Sequence, residues 1–169
     1  MPPHRIRIDT DKDEFINSLA TAGDDNDGSG AISPFSSKAD VLAFAAAYGV
    51  SNNKFEEVGN PTKSPIRYEV FEDRGLSPLF NIIAVFKTEG VDVLSEQKKH
   101  DDARADIFEG YSNGGLALLQ KKLAGYQDPL ARLLLLIEDQ KEGSGSTIDD
   151  FLKNADAGAK EEKESGTEE

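Results

Sequence analysis

Apolar positions along most of the chain recur at three- and four-residue steps, the spacing of one helical face. The first stretch differs: Arg5-Ile6-Arg7-Ile8 alternates and reads as a short strand or an ordered arm. Thr10 with Asp13 then resembles a capping box, with Asp in place of the usual Glu or Gln, and Phe15, Ile16 and Leu19 share one face. This predicts a helix over about 11–21, ended by Gly23, and a polar Gly/Asp/Ser loop over 23–34. Ser37 with Asp40 is a second capping box. Behind it Val41, Leu42, Phe44, Ala45, Ala46, Ala47 and Tyr48 cover most of the circumference, which predicts a buried central helix with Gly49 as its C′ residue. The polar stretch 51–63 ends in the turn-forming Gly59-Asn60-Pro61.

Ser64-Pro65 and Ser77-Pro78 both match an N-cap followed by proline at the first helical position. The first predicts a helix through Ile66, Val70 and Phe71 to Gly75, in competition with a strand in which Ile66, Tyr68 and Val70 alternate. The second predicts a helix with Leu79, Phe80, Ile82, Ile83 and Phe86 on a broad apolar face, followed by a connection holding Val91, Val93 and Leu94. From Glu96 to about Ser112, Ala103, Ile107, Phe108 and Tyr111 keep a helical period, and Leu116, Leu118, Leu119 and Leu123 resume it. Between them Asn113-Gly114-Gly115 predicts a break or kink, since each glycine costs about 1 kcal/mol in a helix interior. Close helix packing is the other reading of that pair. Asp128-Pro129 starts an apolar helix with Leu130, Leu133, Leu134, Leu136 and Ile137, running to about Gln140. The sum is an all-α compact bundle of about six helices over residues 1–142.

Charge changes this picture at the two ends. The 169 residues carry 32 acids and 19 bases, a net of −13. Residues 9–27 hold −6 of it and residues 149–169 hold −5, so the helical body is near neutral. The segment 143–169 reads as a Gly/Ser linker and a disordered acidic tail, with Ile148, Phe151 and Leu152 its only sizeable apolar side chains. With no cysteine, the chain has no disulfide, thiol nucleophile or thiolate metal site. No apolar run has the length of a membrane span, and the N-terminus lacks a signal-peptide core, so a cytoplasmic protein is expected.

Candidate chemistry is sparse. Asp25-Asn26-Asp27-Gly28-Ser29-Gly30-Ala31-Ile32-Ser33 matches the first nine positions of an EF-hand loop, with Asp25, Asp27 and Ser29 as calcium ligands. The twelfth position, which needs a bidentate Glu, is Ser36. A solvated acidic loop explains the same string. His100-Asp101-Asp102 suggests a metal-phosphohydrolase dyad, but His4 is the one other histidine, and a solvated helix face explains it better. Glu96 with Lys98 and Asp139 with Lys141 each resemble half of a carboxylate nuclease site and lack a strand-borne partner acid. Phosphate-loop and Gly-x-Ser-x-Gly motifs are absent. Arg67, Arg74, Arg104, Arg132, Lys98, Lys99, Lys121 and Lys122 would form a basic face for DNA if the fold clustered them, although acids interleave with most of them.

Three segments resemble the Dnd system-associated protein 4 family. They are Pro34-Phe35-Ser36-Ser37-Lys38-Ala39-Asp40-Val41-Leu42-Ala43-Phe44-Ala45-Ala46, Pro65-Ile66-Arg67-Tyr68-Glu69-Val70-Phe71 and Ile107-Phe108-Glu109-Gly110-Tyr111-Ser112-Asn113-Gly114-Gly115-Leu116. In order and spacing the resemblance spans about residues 5–138. It implies a protein encoded beside DNA phosphorothioation genes, with no catalytic motif to carry over and no cofactor. The sulfur-handling steps of such systems use cysteine, which this chain lacks. The expected function is a non-enzymatic accessory protein of a phosphorothioation-linked modification and restriction (phage defence) system, acting by contacts with its proteins. DNA is reached indirectly, and no membrane is involved. A DNA-contacting module of the same system and a calcium-binding helical protein are the alternatives. The polar members of the three segments, Lys38, Asp40, Arg67, Glu69, Glu109, Tyr111 and Asn113, are the expected partner contacts.

Overall fold

The structure is a computed structural model that describes residues 4–20, 33–126 and 128–143. The candidate calcium ligands Asp25, Asp27 and Ser29, as well as Gly23 and residues 144–169, lie outside the described residues. The chain divides into two units, Met1–Leu130 and Ala131–Glu169. Six α-helices and one two-stranded sheet make up the described secondary structure, with two short 3-10 turns. The all-α expectation holds, and so does the short N-terminal strand.

In the first unit, β1 (Arg5–Ile6) pairs antiparallel with β2 (Ile66–Arg67). A 3-10 turn, Thr10–Lys12, leads into α1 (Asp13–Leu19). The predicted Thr10–Asp13 capping box does not form. Thr10 Oγ1 donates instead to the Asn60 carbonyl, and Asp13 accepts from Thr62 Oγ1 at 2.6 Å, so both side chains tie the arm to the 60–62 turn. Then come α2 (Lys38–Ser51), α3 (Tyr68–Asp73), α4 (Ser77–Thr88) and α5 (Lys98–Leu123). Helix α6 (Pro129–Gly143) begins at the predicted proline and lies almost wholly in the second unit, where Leu134, Leu135 and Ile137 are exposed.

The core is organised around α2 and α5. Helix α2 buries Val41, Leu42, Ala45, Ala46 and Tyr48, and α5 buries Phe108, Tyr111, Leu116 and Leu119. Small residues set their separation. A Cβ built on Gly115 would fall 1.8 Å from the Ala45 carbonyl oxygen, and one on Gly49 would fall 2.3 Å from that of Tyr111. At such contacts the backbones themselves touch. This is why the Gly114-Gly115 break does not occur: α5 runs unbroken through both, the propensity cost being offset by backbone packing that a side chain forbids. For the same reason Gly49 is not a C′ residue. Helix α2 continues to Ser51, and the left-handed turn falls on Asn53 (φ 49°).

The second layer is aromatic. Phe80 stacks on Phe108 with ring centroids 3.8 Å apart, and Phe71 and Tyr68 meet Phe80 edge-on. The segment around Ser64-Pro65 resolves into both competing readings in series. Strand β2 comes first and α3 starts at Tyr68, so Ser64 does not cap it. The pairing with β1 claims Ile66 and Arg67, a demand made by residues sixty positions away. In α4 the N-cap is Leu76, one residue before the predicted Ser77.

Candidate functional site

The capping box at the start of α2 is also where a distant cation lands. Ser37 Oγ accepts from the Asp40 backbone N–H at 3.2 Å, and the Asp40 carboxylate accepts from the Ser36 and Ser37 hydroxyls at 2.8 and 2.9 Å. Arg74, just past α3, grips the same carboxylate with Nε at 2.9 Å and Nη2 at 2.5 Å. Burial pushes the Asp40 carboxyl up, but the Arg74 fork and the two hydroxyls outweigh it and hold it below the usual carboxylate range. Asp40→Ala is therefore expected to cost about 1–2 kcal/mol near neutral pH, from the lost Arg74 pair and hydroxyl bonds to the carboxylate, while the Ser37 cap on the backbone N–H remains. Because the folded pKa lies below the unfolded one of about 3.9, this contribution is full above that value and fades as pH falls through the folded pKa. Urea titrations of wild type and Asp40→Ala should converge in strong acid. A gap that persists there would refute the assignment. Lys38, two residues earlier, is exposed.

The N-terminal arm lies along α5 and pairs with successive polar residues of that helix. His4 Nε2 lies 2.8 Å from Asp102. The Arg7 guanidinium reaches Asp106 at 3.1 Å and Glu109 at 2.8 Å, and the Arg7 backbone N–H donates to Glu109 at 2.7 Å. Asn113, fully buried, donates to the Asp9 carboxylate at 2.8 Å and accepts from the Asp9 N–H at 3.3 Å. The other Asp9 oxygen accepts from the Gly59 and Asn60 N–H groups at 2.8 and 2.7 Å. Burial raises the Asp9 carboxyl, yet Asn113, the two backbone donors and Lys12 outweigh it and leave it lowered. Glu109 goes the other way: burial dominates its bonds to Arg7 and holds it above the usual range. Tyr111 is also buried, edge-on to Phe55 at 5.2 Å.

The seven expected partner contacts thus divide. Glu109, Tyr111 and Asn113 are buried and serve the interior, Asp40 is partly covered and engaged by Arg74, and Lys38, Arg67 and Glu69 are exposed. Of the expected basic face, Arg74 is taken by Asp40 and Arg104 by Asp101 and the Val93 carbonyl at 2.7 Å. His100, Asp101 and Asp102 are each engaged separately, by Ser95, Arg104 and His4, and do not converge. Among the described residues no group of three metal-ligating side chains occurs, and Asp25, Asp27 and Ser29 lie outside them.

A surface that the polar candidates did not flag is apolar. Helix α4 carries no charge from Ser77 to Phe86. It turns Phe80, Ile83 and Ala84 inward and leaves Ile82 and Phe86 exposed, at 65% and 53%. Val91 and Leu94, in the connection that follows, are exposed at 70% and 40%. The signal in the sequence is the breadth of that face: a helix covering more of its circumference with apolar side chains than one neighbour can bury leaves the remainder in water.

A family model described as DNA sulphur modification system-associated protein 4 matches residues 5–155. The chain belongs to this family. Nothing matches it among the curated proteins or among the solved structures. Membership associates the chain with a DNA sulphur modification (Dnd) system. The matched stretch begins at Arg5 and so covers the arm from that residue onward together with α1 to α6. No described helix is long and apolar enough to cross a membrane.

Proposed function

We propose that this family member is a non-enzymatic accessory protein of the modification and restriction machinery, acting by contacts with the proteins of that system. The observation that carries the reading is the exposure of Ile82 and Phe86 on α4 and of Val91 and Leu94 in the connection after it. Exposed apolar side chains that gather into one patch mark contact surfaces, and these four fall within thirteen residues of chain. Several polar groups of the described residues are committed to the fold: Asp40, Glu109 and Asp101 hold arginines, and Asn113 holds the arm. The lack of cysteine fits the same role, since the chain has no thiolate with which to carry sulfur.

The test is co-purification from a host carrying the system, with bound proteins identified by mass spectrometry. Wild type is expected to retain at least one modification or restriction subunit. Ile82→Asp combined with Val91→Asp is expected to lower that retention about tenfold or more, with an unchanged thermal midpoint, as charges placed in an interface core do. Retention of no system subunit by wild type, or full retention by the double variant, would count against the reading.

A further inference from the structure

We propose that Arg5 and Arg67 together form a binding site for a phosphate group. The two residues are register partners in the β1–β2 pair. Directly opposed residues in an antiparallel pair have Cβ atoms about 4.5–5.5 Å apart, and like charges placed so are destabilising unless an anion lies between them. Both side chains are exposed. The other arginines of the first unit have acids built in: Arg7 has Asp106 and Glu109, Arg74 has Asp40 and Arg104 has Asp101. Among the described residues Arg5 and Arg67 form no ion pair and no side-chain hydrogen bond, in a chain with 32 acids to draw on. Two opposed guanidiniums that no described acid neutralises repel each other, and a bound oxyanion would remove that repulsion.

The backbone beneath them is fixed before any ligand arrives. Ile6 is fully buried, the Tyr68 N–H donates to the His4 carbonyl at 2.8 Å, and the Arg7 N–H is held by Glu109 at 2.7 Å. Little ordering is left for binding beyond the two side chains themselves. Planar guanidinium forks match phosphate oxygens in pairs, which a lysine ammonium does not. The shared chemistry is the phosphate group, supplied either by a nucleic-acid backbone or by a free anion. The inference is independent of the α4 face and stands or falls without it.

Two measurements on the full chain distinguish the sources. In the first, anisotropy of a short fluorescent DNA duplex is followed against salt. In the second, the melting midpoint is followed in inorganic phosphate and in chloride at equal ionic strength. Arg5→Gln with Arg67→Gln is compared with Lys63→Gln with Lys87→Gln, which removes the same charge from exposed sites outside the β1–β2 pair. A backbone source predicts duplex binding that falls about tenfold in the arginine variant. Its log–log salt slope, steeper by about two in wild type, reflects two phosphate contacts. A free-anion source predicts a phosphate-dependent rise in midpoint that the arginine variant loses and no duplex binding. In either case the lysine variant follows wild type. Without phosphate, the arginine variant is expected to melt no lower than wild type, because it loses only a repulsion. The proposal is overturned if wild type responds to neither probe, or if the two variants lose binding equally.

Discussion

Gly115→Ala is expected to destabilise the first unit by about 3 kcal/mol or more, although alanine is the better helix former by about 1 kcal/mol. The new methyl would sit 1.8 Å from the Ala45 carbonyl oxygen and 2.7 Å from its carbon. Those are backbone atoms in the middle of α2, so no rotamer change relieves the clash and the two helices must separate. Separation loosens the contacts that Leu42, Ala46, Leu116 and Leu119 make in the same core, all of them buried. Two neighbouring glycines supply the scale. At Gly110 the added methyl meets the Phe55 ring at 2.3 Å, a side chain on a connecting segment that can swing, so Gly110→Ala is expected to cost less. At Gly59 nothing lies within 4 Å, and Gly59→Ala is expected to be neutral or to stabilise by up to about 0.5 kcal/mol through the unfolded chain. Urea midpoints should therefore rank Gly59→Ala above Gly110→Ala above Gly115→Ala. A Gly115→Ala protein as stable as wild type would mean that the helices do not touch here.

That glycine pair also shows where sequence reasoning stops. A local propensity argument assigns Gly114-Gly115 to a break, and it is a correct statement about an isolated helix. The deciding term is the carbonyl of Ala45, seventy residues away, which no window along the chain contains. The capping box of α2 is the opposite case. Ser37 and Asp40 satisfy each other within one turn, so their spacing alone revealed the helix start. Arg74 adds a third partner that the spacing did not reveal. The same division runs through the expected contact residues. Polar side chains expected to meet a partner must face outward, which holds for Lys38, Arg67 and Glu69. It does not hold for Glu109 and Asn113, because the arm that covers them lies about a hundred residues earlier. The exposed half of α4 was present in the pattern as an over-wide apolar face. What the pattern lacked was which half the aromatic layer of Phe71 and Phe108 would claim.

Arg7→Ala is expected to cost about 2–3 kcal/mol near neutral pH and much less in mild acid, and the pH dependence identifies the cause. Breaking a buried ion pair by removing one partner costs about 3–5 kcal/mol, and the lower figure applies because the Arg7 side chain is 48% exposed while that of Glu109 is 4% exposed. What the variant leaves behind is a buried carboxylate whose remaining bond is to a backbone N–H. Burial already holds Glu109 above the usual carboxylate range against the opposing pull of Arg7. Removing that pull moves it further up. A carboxyl whose folded pKa exceeds its unfolded value of about 4.3 binds more protons folded than unfolded. Its contribution is thus full below the unfolded pKa and is lost as pH rises through the folded one. Wild type carries a weaker dependence of the same sign from Glu109, opposed by Asp9, whose lowered pKa makes its contribution fade toward acid. Denaturant midpoints of Arg7→Ala should fall away from those of wild type as pH rises from about 4 to 8. Adding Glu109→Gln to the variant should abolish the divergence, since the amide oxygen still accepts from the Arg7 N–H and no charge remains to bury. A difference between Arg7→Ala and wild type that stays constant over that range would show that Arg7 acts by packing alone and that Glu109 is not the group left stranded.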